Sequence, residues 1–309
     1  MIIVYKISDN TKEKMIDYYK DLKRDKTPDY AIFQAEEGET IITLYNSNKV
    51  VFQGVSADVD ANMWKDMEAH LNNGKLPEEN KKKDKKEKEK DKTDYYFIDS
   101  VGSDEVGTGD YFGPIVVTAA YVNKKDIFML EELKVKDSKK LTDDKILEIV
   151  PKFIDIIPHE TIIYNNITYN NNYDINNMNK TKAILHNKVI LKLLKNNDLV
   201  YDKVVVDQFV NPRIYFIYLK DEENVYKKLT FTTKAEDKCL SVACASLISR
   251  YVFLKEMDKL SKSINITLPK GAGEIVDKVG KEILDKYGED KLKEVAKYHF
   301  KNTNKIKEL

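Results

Sequence analysis

The sequence predicts an α/β protein: one domain with a mixed sheet flanked by helices, preceded by a small α+β unit. Three observations predict it. From residue 95 onward, β-branched apolar runs are interspersed with helical patterns. The first 75 residues carry a separate β-α-β-β-β-α order. Between them lies LPEENKKKDKKEKEKDKTD, residues 76–94, with dense charges of both signs and almost no apolar side chains. Such a stretch buries too little surface to offset ordering entropy and reads as a linker. The expected division is therefore 1–75, 76–94 and 95–309.

In the first unit, MIIVYKI reads as a strand and NTKEKMIDYYKDLKRD as an amphipathic helix, with Met15, Tyr18, Tyr19 and Leu22 near helical spacing. YAIFQAEE, TIITLYN and KVVFQG read as three strands, with turn signals at residues 38–39 and 46–48. ADVDANMWKDMEAHLNN closes the unit as a helix with Gly74 as its C-cap. In the second unit, YYFIDSVGSD and PIVVTAAYV read as strands and TDDKILEIVPKFIDII as a helix with a proline break. ETIIYN, DKVVVD and VYKKLTFTTK read as strands and NKTKAILHNKVILKLLKNN as a helix. AEDKCLSVACASLISRYVFLKEMDKL reads as one long helix with small residues on one face.

Composition narrows the classes. No apolar run approaches the roughly 18–20 residues that span a bilayer, so no membrane partner is expected. The N-terminus lacks the pattern of a signal peptide. Cys239 and Cys244 have no metal-type spacing and read as reduced, buried thiols, which fits a cytoplasmic protein. The formal net charge of zero counts mildly against a nucleic-acid binder, although a basic face can coexist with an acidic site.

The segment GSDEVGTGDYFGP sets two carboxylates, Asp104 and Glu105, against Gly107, Gly109 and Gly113. A dinucleotide site needs G-x-G-x-x-G opening a helix. Here the spacing is G-x-G-x-x-x-G, and Pro114 leads into a β-branched run. No Gly-Lys-Ser/Thr closes a P-loop either. No nucleotide cofactor is expected. The local reading is a hairpin whose glycines let backbone N–H groups approach a phosphate or sugar beside the carboxylates. An ordinary turn with two solvated acids explains this stretch equally well. Asp207 ends the strand VVVD, at the carboxyl end where open α/β sheets bind ligands. Glu236 begins the long helix, with Lys234 just before it, and Lys139 and Lys140 follow a loop. Taken singly, each has an ordinary explanation: a loop acid, a first-turn Glu complementing the helix dipole, exposed lysines.

Together, DEVGTGDYFGP, KDSKKLTD, MNKTKAILHN, VVVDQF, TKAEDKCLSVACASLISR, LPKGAG and VAKYHFKNT closely resemble the ribonuclease HIII family of type 2 ribonucleases H. The resemblance covers most of the chain, including ITLYNSNKVVFQG and Trp64 in the first unit. It implies a ribonuclease H-like fold, and a substrate-binding N-terminal domain resembling half of a TATA-box-binding protein. It implies a monomer that hydrolyses the RNA strand of RNA–DNA hybrids, leaving 5′-phosphate and 3′-hydroxyl ends. The implied ligands of two Mg²⁺ or Mn²⁺ ions are Asp104, Glu105, Asp207 and Glu236. Asp237, next to Glu236, is a competing fourth ligand. By the same resemblance Gly107, Thr108 and Gly109 contact RNA 2′-hydroxyls, and Lys139, Lys140 and Lys234 contact phosphates. Thr108 stands where the family commonly has lysine. His186 matches a family motif, with a packing role as its alternative. The related ribonuclease HII, which cuts at single embedded ribonucleotides, usually has aspartate after Lys-Ala and lacks the N-terminal domain. A non-catalytic binder on the same fold is the remaining alternative.

Overall fold

The computed structural model describes residues 2–25, 27–28, 30–38, 40–54, 56–72, 74, 76–79, 95–135, 141–172 and 178–309. By contacts it divides into two compact units, Met1–Lys92 with Gln208–Ile214, and Thr93–Asp207 with Tyr215–Leu309.

The first unit contains β1 (Ile2–Lys6), α1 (Asp9–Tyr18), β2 (Ala31–Glu37), β3 (Thr40–Tyr45), β4 (Lys49–Gly54), α2 (Ala57–Leu71) and β5 (Glu78–Glu79). Its sheet is antiparallel, in the order β2-β3-β4-β1-β5. Alternation along each strand sends Tyr5, Phe33, Ala35, Ile42, Leu44, Val50 and Phe52 to one side. There they pack with Met15, Ala61 and Trp64 of the two helices and with Tyr19 just past the end of α1. Trp64 Nε1 donates to the Tyr19 hydroxyl at 2.9 Å, which satisfies a polar group inside that core. The opposite face presents Lys6 and Lys49, paired directly across the ladder, and next to them Val4 with Val51 and Ile2 with Gln53.

Two expectations change here. The first helix was expected to run to about residue 25 but stops at Tyr18. Beyond it the backbone turns onto the edge of β2, through Arg24 N to Gln34 O at 2.7 Å and Glu36 N to Leu22 O at 3.1 Å. Tertiary pairing thus overrides a helical pattern of modest propensity. Residues 78–79, assigned to the linker, instead pair with Tyr5 and Lys6 as a short fifth strand. Residues 80–94 lie outside the described residues.

The second unit contains β6 (Ser100–Val106), β7 (Ile115–Val122), α3 (Ile127–Glu132), α4 (Asp143–Ile149), β8 (His159–Tyr164), α5 (Asn166–Asn172), α6 (Met178–Asn196) and β9 (Lys203–Asp207). These are followed by α7 (Pro212–Tyr218), whose residues from Tyr215 onward belong to this unit, and by β10 (Leu229–Thr232), α8 (Ala235–Lys238), α9 (Leu240–Ile264), α10 (Glu274–Val295) and α11 (Lys301–Glu308). The sheet order is β10-β9-β6-β7-β8. β6, β9 and β10 run parallel, while β7 and β8 are antiparallel to their neighbours, so the sheet is mixed as expected. β6 and β7 form the hairpin predicted around the glycine loop, with β6 running past both carboxylates to Val106.

β6 divides its side chains between two helices. Ser100 Oγ lies 2.9 Å from Ser241 Oγ, so the even positions face α9. Ser103 Oγ lies 2.7 Å from His186 Nδ1, so the odd positions face α6. The small residues expected on one face of the long helix explain the close approach. A Cβ on Gly102 would stand 2.3 Å from the backbone nitrogen of Val242. Gly102→Ala is therefore expected to destabilise the protein by about 1–3 kcal/mol or more, because backbone rather than a movable side chain blocks the methyl. Thermal unfolding checks this. The long helix itself is broken: Cys239 is extended (φ −135°, ψ 118°), which separates the one-turn α8 from α9.

Candidate active site

The site forms where the parallel pairing of β6 with β9 ends. That ladder finishes at Ser103 paired with Val206, so the next residues, Asp104, still paired with Thr118 of β7, and Asp207, the last residue of β9, stand side by side on the α9 face. Asp207 Oδ1 accepts from Ala235 N at 2.9 Å, which ties the start of α8 to the end of β9. Lys234, just before it, takes a left-handed backbone (φ 54°) that turns the chain from β10 into α8, and its side chain is exposed. Glu236 is half-buried and its charge acts on Asp207, whereas Asp237 is exposed.

Asp104 and Glu105 are neighbours in sequence but point to opposite faces of the sheet, as strand alternation requires. Their surroundings push them apart electrostatically. Burial raises the Asp104 carboxyl well above the usual range, reinforced by the charges of Glu105 and Asp207 and opposed by hydrogen bonds from Ser246 and the Glu105 amide. Burial also disfavours the charged form of Glu105, but Lys182 and His186 outweigh it and hold that carboxyl low. Lys182 Nζ sits 2.6 Å from Glu105 Oε1, and His186 Nε2 sits 2.8 Å from Oε2. Asp207 is raised by burial first, with Glu236 and Glu105 adding to it.

The four acids predicted from sequence therefore share one electrostatic neighbourhood. Among the described residues, no three His, Cys, Asp or Glu side chains are close enough to hold a metal ion as they stand. Alternation explains part of this, since Glu105 lies across the sheet from Asp104 and both its oxygens are already engaged. The chemistry of the set nevertheless fits a hard divalent ion. The donors are carboxylate oxygens, and the raised carboxyls of Asp104 and Asp207 are those a nearby cation would relieve.

In the glycine loop, Gly107 has φ +94°, and a Cβ there would meet Pro114 O at 2.2 Å. Gly109 is exposed with nothing within 4 Å of a Cβ position, and Thr108 between them is half-buried. The far half of the loop is braced by two motifs the sequence left without a role. From LPKGAG, Gly271 N donates to Asp110 Oδ1 at 2.6 Å, and Gly271 O accepts from Tyr111 N at 2.8 Å. From VAKYHFKNT, the buried Lys297 donates from Nζ to Asp110 O at 2.8 Å and Gly113 O at 2.6 Å. Lys139 and Lys140 lie outside the described residues.

Sequence reasoning did not single out Lys182 or Ser103. A signal was present: Lys182 and His186 stand four apart on α6, hence on one helical face, and both reach Glu105.

Known proteins resemble this chain along nearly its whole length. A family model described as Ribonuclease HII matches residues 101–303. A curated Ribonuclease HIII from Bacillus velezensis is 41% identical over 310 residues, covering 99% of this chain and 97% of the relative. The chain belongs to the ribonuclease HIII family. A second Ribonuclease HIII, from Bacillus subtilis, is 40% identical over 311 residues with the same coverage. The crystal structure of Bst-RNase HIII in complex with Mn²⁺ covers 100% of this chain and 98% of that chain, with a TM-score of 0.69 and 36% identity. Residues 2–75 match a model described as a domain of unknown function, DUF3378. The chain is thus a metal-dependent endoribonuclease with the fold of this family. No helix among the described residues is long and apolar enough to cross a membrane.

Proposed function

We propose that this enzyme cuts the RNA strand of RNA–DNA hybrids, using two Mg²⁺ or Mn²⁺ ions and leaving 5′-phosphate and 3′-hydroxyl ends. The observation that carries the reading is the side-by-side placement of Asp104 and Asp207 on adjacent strands, just past the point where β6 and β9 cease to pair, with Glu236 in electrostatic reach. Bound divalent ions would supply an activated water and neutralise charge on the phosphoryl and leaving oxygens. In this reading Asp104 is the central ligand, with Asp207, Glu236 and Glu105 completing the set. Gly107, Thr108 and Gly109 offer backbone amides to RNA 2′-hydroxyls, which distinguish RNA from DNA. The open space around Gly109 supports that approach. Lys234, exposed beside α8, suits a phosphate contact, and Lys139 and Lys140 are assigned the same task.

The N-terminal unit is assigned to hybrid binding. Lys6 and Lys49 point outward from the helix-free face and oppose each other across the ladder. Like charges in that position destabilise a sheet, and a phosphate between them would relieve the repulsion. Replacing both with glutamate should weaken hybrid binding severalfold or more and lower the salt slope by about 2, leaving Mn²⁺ affinity unchanged. Fluorescence anisotropy across a salt series checks this.

The deciding experiment compares a continuous hybrid with a DNA duplex carrying one embedded ribonucleotide, in Mg²⁺ and Mn²⁺. Preferred cleavage of the hybrid is expected. Efficient cleavage of the single ribonucleotide would indicate a ribonuclease HII-type enzyme. No cleavage of either would indicate a non-catalytic binder.

A further inference from the structure

We propose that His186 is a positioning residue for Glu105. Held by Ser103, it fixes one carboxylate oxygen so that the other is presented to cations. The inference rests on the metal-ligand reading above and deepens it. His186 is buried, and its two ring nitrogens span Ser103 Oγ at 2.7 Å and Glu105 Oε2 at 2.8 Å. Facing a carboxylate, Nε2 must carry a proton, since two acceptors do not bond. Ser103 then completes the chain at Nδ1, fixing the ring in the way an outer partner fixes a ligand.

The two oxygens of Glu105 have different partners. Oε2 meets the ring of His186, whose own far side is tethered to the same strand that carries Glu105. Oε1 meets the ammonium of Lys182 at 2.6 Å. With Oε2 held by the ring, Oε1, which already faces a positive charge, is the oxygen a metal ion would meet in exchange for that contact. Both His186 and Ser103 arise from local geometry. Ser103 and Glu105 are two apart on β6 and share its α6 face, and His186 lies one turn beyond Lys182 on the helix facing them.

The test is Mn²⁺ affinity, measured by electron paramagnetic resonance of free Mn²⁺, in four full-length variants. His186→Ala should weaken binding about 10–100-fold, the range for loss of an outer-shell partner. His186→Gln keeps an N–H donor near the Nε2 position and should recover most of the affinity. His186→Asn places its donor near Nδ1, can still bond Ser103, and should behave like the alanine variant. A purely structural role would order these variants by packing volume, not by donor position. Asp104→Asn serves as the control and should lose Mn²⁺ binding outright. If it does while His186→Ala stays within about twofold of wild type, the positioning role is overturned and the metal site stands. Equal losses in His186→Gln and His186→Asn overturn it as well. If Asp104→Asn also binds like wild type, the metal-site reading itself fails, and this inference with it. A readout independent of metal is available in ¹⁵N NMR of the imidazole, which should show Nε2 protonated at neutral pH. A proton confined to Nδ1 overturns the proposal.

Discussion

Asp104→Asn is expected to reduce hybrid cleavage by on the order of 10³-fold or more, the scale seen when a group stabilising transition-state charge is removed. The substitution is nearly isosteric. The asparagine carbonyl can still accept from the Glu105 amide, which now bonds Asp104 Oδ1 at 2.8 Å. What disappears is one negative charge, at the position between Glu105 and Asp207 where the charges crowd most. Stability should move the other way. The folded-state Asp104 carboxyl is raised above its unfolded value of 3.8, so the folded state holds the proton more tightly. That group's contribution is favourable at low pH and is lost as pH climbs from about 4 towards about 8. In chelator, the asparagine variant should lack this loss and be at least as stable as wild type at neutral pH, as expected where function holds a destabilising arrangement. Denaturant titrations at several pH values, beside single-turnover cleavage, check both halves. Near-wild-type cleavage by the variant would break the assignment of Asp104.

Gly107→Ala and Gly109→Ala should part company, although the two glycines sit two residues apart. At Gly107 the left-handed backbone (φ +94°) and the Pro114 carbonyl at 2.2 Å leave no room for a methyl. Destabilisation of about 1–3 kcal/mol or more follows, together with a displaced loop and a large loss of cleavage. At Gly109 nothing lies within 4 Å, so stability should change by no more than about 0.5 kcal/mol, as for ordinary surface sites. Any loss there must come from substrate approach, and should appear as a raised KM on hybrid with Mn²⁺ affinity intact. Thermal unfolding and steady-state kinetics separate the two. A Gly109→Ala variant with unaltered KM would show that the substrate backbone does not come close at this position.

Much of the fold was legible because its elements declare themselves by period. The β6–β7 hairpin, the proline break after α4 and the strand ending on Asp207 all follow from local pattern. The failures have one cause, contacts distant in sequence. Nothing in NTKEKMIDYYKDLKRD announces that residues 22–24 will bond along the edge of β2. Nothing in AEDKCLSV reveals that Cys239 turns extended, with its sulfur 3.5 Å from Ser100 Oγ on β6. For the site, the four acids could be named from motif, but how they relate could not. Asp104 and Glu105 read as a pair in sequence, yet a period of two sends them to opposite sides of the sheet. Recognising that would have led to the α6 face, and so to Lys182 and His186. The bracing of the glycine loop by Lys297 and Gly271 depends on segments more than 150 residues away, which no local pattern reports.

The contact of Gly102 with Val242 means that the floor of the reaction centre and the keel of the domain are one object. Any attempt to make this enzyme hardier by refilling the seam between β6 and α9 would tilt the strand that carries Asp104. Gains in heat resistance are better sought on surfaces remote from that seam, such as the solvent side of α10, where redesign leaves the acids where they are.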